Sequence, residues 1–409
     1  MEKIRLLERS NVEGEKIKMT YPLASSTWGK EEVDAIHKVI DSDMYTMGAR
    51  VKDFENQFAE YFGSKHAIMT NSGSSANLLM FACLNWRHAF DGRDIIVPAL
   101  GWSTSYFPIV QNQMKLNFVD INPKTMNIDP EWIEDAITEN TRAILAINML
   151  GNPCDFTTLK ELCKKHQLLL LEDNCESMGA SWQNRYCGTL GFAGTFSFFF
   201  SHHIQTMEGG MILTDNDEDA HYMRSLRAHG WCRDLPLDDK SLYTRTGDPF
   251  FDSFTFVTPG FCVRPLEMSG AIGTEQLKKF PAMMEQRLEN ARYFQKLFGD
   301  VDWADIQQEH EKSSWFTFSL VLKNAMQYRR DEVVQNLAKV GVQTIPIGTR
   351  NMMKQPVMNR IGKLTVPNSH MEYEGADLVH HNGFMVGNHG HMDCKAGIDL
   401  LYKTMTDML

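Results

Sequence analysis

From about residue 30 the chain alternates amphipathic stretches with short apolar runs. Lys30 to Ser42 sets Val33, Ile36, Val39 and Ile40 on one face of a 3.6-residue period, and Asp53 to Phe62 does the same with Phe54, Phe58, Tyr61 and Phe62. Both predict helices. The runs HAIMT (66–70), DIIVPAL (94–100), KLNFVD (115–120), AILAINM (143–149), LLLLED (168–173), FSFFF (196–200) and GGMILTD (209–215) predict strands, with helices between several of them, as at Trp132 to Ile137 and Thr157 to Lys165. Strands that are apolar on both faces and separated by helices imply an α/β fold, a mostly parallel sheet covered on both sides.

After about Gly260 the texture changes. A long helical stretch from Pro265 through Leu297 leads to WFTFSLVL (315–322) and a further helix at Arg330 to Val340, which reads as a smaller α+β domain carried by the long helix. The expected division is an N-terminal arm (1–20), a large α/β domain (21–264), and the long helix with a small C-terminal α+β domain (265–409).

Composition narrows the function. With 409 residues, 43% hydrophobic and 23% charged, the chain can bury a large core without disulfides. A net charge of -11 leaves no basic surplus for nucleic acid. Neither a signal-peptide pattern at the N-terminus nor a run long enough to span a membrane is present, so a cytoplasmic protein with no membrane partner is expected. The eight cysteines are scattered without a C-x-x-C pair, which reads as reduced thiols and argues against an iron–sulfur cluster. No metal site is assigned.

Four places could carry chemistry. Asn71-Ser72-Gly73-Ser74-Ser75-Ala76-Asn77 follows a strand and opens a helix; small residues there expose N–H groups to a phosphate, although the same turn is also an ordinary helix cap. Asp173, just past a run of leucines, falls at the carboxyl edge of the sheet, where it could hold a pyridine nitrogen protonated or cap the next helix. Trp102, after the strand ending near Leu100, could stack on a flat ring, or pack in the core or at an interface. Ser197 could add a hydroxyl to the phosphate seat or be structural.

Order and spacing turn these ordinary features into a specific pattern. YPLASSTW (21–28), LLLLEDNCESMGA, SHHIQTMEGG, RAHGW (227–231) and VRPLEMSGAIGTEQL (263–277) resemble the sugar aminotransferases among the fold-type-I pyridoxal-phosphate (PLP) enzymes, built like aspartate aminotransferase. In that family a lysine anchors the cofactor as a Schiff base. Here His202 fills its slot, and no lysine lies between Lys165 and Lys240.

The resemblance implies that Gly73, Ser74 and Ser197 hold the cofactor phosphate, Trp102 stacks on the ring, and Asp173 pairs with the pyridine nitrogen. Glu176 falls where relatives carry glutamine beside the ring and where the dehydratase subgroup carries glutamate. His203 is expected to stand off the cofactor. His229 and Arg233 resemble residues that reach a keto sugar and its diphosphate.

The implied activity is a 3-dehydratase acting on a nucleotide-linked 4-keto-6-deoxyhexose. PLP and its aminated form, pyridoxamine phosphate (PMP), would be held non-covalently, and L-glutamate would restore the amine. His202 would take a proton as base and return it to the departing hydroxyl. Two positions depart from the pattern: Cys262 replaces an asparagine that a neighbouring subunit lends to the phosphate, and Ile345 replaces an arginine, which leaves GDP and CDP carriers both open. A homodimer with shared active sites is expected. A CDP-sugar dehydrase, an ordinary nucleotide-sugar aminotransferase and a non-catalytic cofactor- or sugar-binding protein are the competing readings.

Overall fold

The computed structural model describes residues 19–88, 92–237, 240–368 and 370–409, so the charged stretch 1–18 lies outside the described residues. Seven strands form one sheet: β1 (His66–Thr70), β2 (Asp94–Pro98), β3 (Lys115–Val119), β4 (Thr141–Ile147), β5 (Leu169–Asp173), β6 (Ala193–Ser197) and β7 (Gly210–Thr214). Their order is β1-β7-β6-β5-β4-β2-β3. From β3 to β6 all neighbours run parallel, while β7 is antiparallel to both β6 and β1. Every residue of β2, β6 and β7 is buried, as interior strands covered on both faces must be.

Helices α1 (Lys30–Asp41), α2 (Ala49–Phe62), α3 (Gly73–Arg87), α4 (Ser103–Gln111), α5 (Phe156–His166) and α6 (Asp217–Arg227) belong to this layer. The 32-residue α7 (Glu267–Phe298) leads into a three-stranded antiparallel sheet of β8 (Ala304–Ile306), β9 (Thr317–Leu322) and β10 (Gly383–Gly387), with α8 (Arg330–Lys339), α9 (Glu374–Asn382) and α10 (Lys395–Thr406) in the same C-terminal part.

Three expectations about elements need correction. The FSFFF strand is instead Ala193–Ser197; Phe199 and Phe200 are exposed in the turn beyond it. Small residues make that placement possible, because a Cβ on Gly194 would lie 2.3 Å from the Gly188 backbone. The stretch 132–137 makes only a single turn, Ile133–Ala136. Helix α2 begins at Ala49, ahead of the expected Asp53. The carboxylate of Glu267 accepts from the N–H groups of Gly48 (2.6 Å), Arg50 (2.6 Å) and Val51 (3.3 Å), capping the helix from a distant part of the chain.

The division at 264/265 is kept as a proposal, with contacts that cross it. Tyr21 packs among Phe294, Phe318 and Val386 and donates its hydroxyl to the Gly387 carbonyl at 2.6 Å. Ile347, Met352, Val379 and Met385 in turn join the core of the large sheet.

Candidate active site

Parallel strands end together at the carboxyl edge of the sheet, and Gly73, Ser74, Trp102, Asp173, Glu176, Ser197 and His202 follow or close strands there. Ser72 caps α3 by accepting from the Ser75 N–H at 3.1 Å. The first-turn N–H groups without an intrahelical partner make up the positive end of the helix, a suitable seat for an anion. Ser74 is tied to α4 through its hydroxyl, which donates to Thr104 Oγ1 at 2.8 Å.

Glycine is required at two points, one in this turn and one packed against it at the start of β7. A Cβ on Gly73 would lie 2.6 Å from Ser197 Cβ and 2.8 Å from Cys175 Sγ, and one on Gly210 would lie 2.3 Å from the Ser72 carbonyl oxygen. Gly73, Ser74 and Ser197 therefore meet in one cradle whose space any larger residue would fill.

Asp173 closes β5 and is 4% exposed. Its Oδ2 accepts from Asn77 Nδ2 (2.9 Å) and Ser105 Oγ (2.6 Å), and its Oδ1 from the Cys175 N–H (3.0 Å). Asn77 is itself locked: Nδ2 also donates to the Thr104 carbonyl (3.2 Å), and Oδ1 accepts from Thr195 Oγ1 (2.6 Å). A buried carboxylate is thereby satisfied and aimed. Asn77 lies one helical turn beyond Gly73, a spacing that could have flagged it; Thr104, Ser105 and Thr195 gave no separate signal.

Glu176 accepts from the Leu150 N–H at 3.1 Å. Burial pushes its carboxyl up to about 7, the Leu150 hydrogen bond works against that, and nearby Asp173 adds to the rise.

His202 lies in the turn after β6. Its Nδ1 is 2.6 Å from the Cys175 carbonyl, an acceptor only, so Nδ1 carries the hydrogen and Nε2 keeps its lone pair. The imidazole packs against the Phe316 ring, centroids 5.1 Å apart. Burial drives its pKa down to about 4; the Cys175 carbonyl pulls upward, Arg287 downward and Asp173 upward. His202 is thus neutral at pH 7. His203 turns away into the core against Phe316 and Phe280. Phe316 was invisible to sequence reasoning.

Trp102 precedes α4 and is 56% exposed, which removes core packing and leaves the indole open to a flat ring or to an interface. His229 and Arg233 form a separate cluster. His229 adopts φ +63° and packs on Trp231 at 4.6 Å, while the Arg233 guanidinium stacks 4.2 Å over Trp231 and donates to the Ser253 carbonyl. The connection to the phosphate turn runs through the backbone: the Asn71 N–H donates to the Val263 carbonyl at 3.0 Å, and Cys262 bridges Ala228. Cys262 is exposed. Ile345 pairs with Met385 and packs against the main core. Among the described residues no group of three or more His, Cys, Asp or Glu side chains could hold a metal ion.

A mostly parallel sheet with a Gly-Ser turn opening α3, an edge aspartate and a histidine beside them is the architecture of the fold-type-I PLP class. The chain belongs to the DegT/DnrJ/EryC1/StrS aminotransferase family, whose profile matches residues 26–389. It is 48% identical over 377 residues, 91% of this chain and 95% of the relative, to a GDP-4-keto-6-deoxy-D-mannose 3-dehydratase from Yersinia pseudotuberculosis. Two crystal structures of GDP-4-keto-6-deoxymannose-3-dehydratase are similar at 46% identity. One is a mutant with bound GDP-perosamine (TM-score 0.90, covering 94% of this chain and 100% of the other). The other holds a trapped PLP–glutamate geminal diamine (TM-score 0.89, with the same coverage).

Proposed function

We propose that this chain is a PLP-dependent 3-dehydratase that removes the 3-hydroxyl of GDP-4-keto-6-deoxymannose, giving a 4-keto-3,6-dideoxy sugar, with L-glutamate regenerating the aminated cofactor. The observation that carries the reading is His202: an imidazole with a free Nε2 stands where the family's lysine would be, beside the buried Asp173 and the Gly73–Ser197 contact.

The residues fit the cofactor. Backbone N–H groups at Gly73 and Ser74 and the Ser197 hydroxyl suit a phosphate, Asp173 a pyridinium nitrogen, Trp102 a ring face, and Glu176 the ring's edge. Bound there as PMP, the cofactor would supply an amine for the sugar's ketone and an electron-poor ring that stabilises negative charge on the adjoining carbon. His202 takes a proton on Nε2. The resulting imidazolium keeps its Nδ1 hydrogen bond to the Cys175 carbonyl, and Nε2 then gives the proton to the departing hydroxyl. Each role contributes on the order of a hundredfold or more in rate. A lysine in the same slot could attack the cofactor instead, which favours amination.

His229 and Arg233 are assigned to the sugar and the diphosphate, and GDP is preferred as carrier from the kinship with the GDP-sugar enzymes. A homodimer is supported by the exposed aromatic surface of Phe250, Phe251, Phe254 and Phe256 beside Trp231. No helix among the described residues is long and apolar enough to cross a membrane, and we place the protein in the cytoplasm.

The test is incubation with GDP-4-keto-6-deoxymannose, PLP and glutamate, reading product mass and ammonia. Loss of one oxygen with the ketone kept, together with ammonia release, is expected; H202N should slow this by at least about a hundredfold. An aminated sugar as product would overturn the reading.

A further inference from the structure

The guanidinium of Arg287, on α7, is 4% exposed and forms no ion pair with a carboxylate among the described residues. Burying a cation without a counter-charge is costly, so its surroundings must offset that cost with hydrogen bonds. Its Nη1 donates to the carbonyls of Asn388 (2.8 Å) and Phe316 (3.0 Å) and lies 3.5 Å from that of Trp315. Asn388 Nδ2 reinforces the same place by donating to the Trp315 carbonyl at 2.7 Å.

The backbone held there is strained. Trp315 has φ +45°, a left-handed conformation that a bulky aromatic adopts only when neighbouring contacts impose it. The strained residue lies in a short strap that reaches both functional side chains. The Phe316 N–H donates to the Leu150 carbonyl (2.9 Å) and the Ser314 N–H to the Gly151 carbonyl (2.9 Å), while the Leu150 N–H holds Glu176. The Phe316 ring supports the His202 imidazole at 5.1 Å.

We infer that Arg287 is a positioning residue for the reaction: by clamping the 314–316 strap it holds Phe316 against His202 and Leu150 against Glu176. The inference rests on His202 being the base. The charged and titratable groups facing His202 are Asp173 at the end of β5, Cys175 just after it, His203 next in the chain and Arg287 on α7. Arg287 also opposes protonation of the imidazole, so its removal loosens the ring and makes it easier to protonate.

The test compares Arg287→Met and Arg287→Lys in the full-length enzyme. The methionine variant is expected to lose about tenfold or more in kcat, with KM for the sugar nucleotide within about threefold. The acid limb of its kcat profile moves to higher pH, as does the His202 titration followed by NMR in cofactor-free protein. The lysine variant restores most of the lost rate. A folded R287M with wild-type kcat and an unmoved His202 titration overturns the inference, as does failure of lysine to improve on methionine. If R287M does not fold, Phe316→Leu decides: a kcat loss supports the inference and an unchanged kcat overturns it. An H202N enzyme as active as wild type would instead remove the base assignment itself, a separate result.

Discussion

Replacing Asp173 by Asn keeps shape and volume while exchanging one acceptor oxygen for an NH2 group. In the native site Oδ2 accepts from Asn77 and Ser105, and Oδ1 accepts from the Cys175 N–H. If the new amide directs its NH2 at Cys175, two donors face each other across a 3.0 Å gap. If it turns the other way, the NH2 meets Asn77 Nδ2, and only the Ser105 hydroxyl can rotate to accept. Asn77 cannot flip to help without giving up the Thr104 carbonyl and Thr195 Oγ1. Either way one buried donor is left unpaired, at a cost of about 1–3 kcal/mol.

The cofactor-free D173N protein should therefore melt a few degrees below wild type. On the proposed pairing of Asp173 with the pyridine nitrogen, a charge-assisted bond of about 1.5–3 kcal/mol would be lost as well, so PLP affinity should fall roughly 10- to 100-fold. Differential scanning calorimetry and equilibrium dialysis read the two effects separately. A variant that melts with wild type and retains PLP equally well would refute both the donor accounting and the assignment of Asp173 to the ring.

Three further outcomes are expected. Gly73→Ala places a methyl 2.6 Å from Ser197 Cβ; it should destabilise the chain by about 1–3 kcal/mol and weaken PLP binding by at least about tenfold, as measured by fluorescence titration. Burial, aided by Arg287, lowers the pKa of His389 from 6.5 to about 4, so between those values the unfolded chain takes up a proton that the folded chain refuses, and stability falls as pH drops through that window by about 3 kcal/mol. H389Q should show a correspondingly shallower loss of melting temperature from pH 7 to 4.5, and parallel curves would exclude the effect. A charge at Phe254, which is 65% exposed, should split the expected dimer: F254D is predicted to sediment as a monomer with reduced activity, whereas a wild-type chain already monomeric at micromolar concentration would contradict the shared-site reading.

Most of the sheet could be read from sequence because its strands are short, apolar on both faces and bounded by polar turns; β1 and β5 fall within a residue of expectation. The reading failed where a distant residue decides the outcome. FSFFF has the stronger strand composition, yet the ladder is built from Ala193 to Ser197 because only small residues pass Gly188, and no local pattern encodes that close approach. The start of α2 was missed for the same reason, since its cap is Glu267 on another helix.

The candidate site divides along the same physical line. Residues that would touch a cofactor lie at strand ends or within a few residues beyond them, so Gly73, Asp173, Ser197 and His202 could be found from motif order. The groups that aim them come from elsewhere in the chain: Asn77 and Ser105 fix Asp173, Leu150 holds Glu176, and Phe316 supports His202. Orientation is therefore a property of the folded chain, and a histidine in a lysine's slot acquires chemical meaning only through it. The Cys175 carbonyl fixes which nitrogen carries the proton, and burial keeps the ring neutral. Substitutions in that supporting layer should alter rate and pH dependence more than affinity, while substitutions in the phosphate turn should do the reverse.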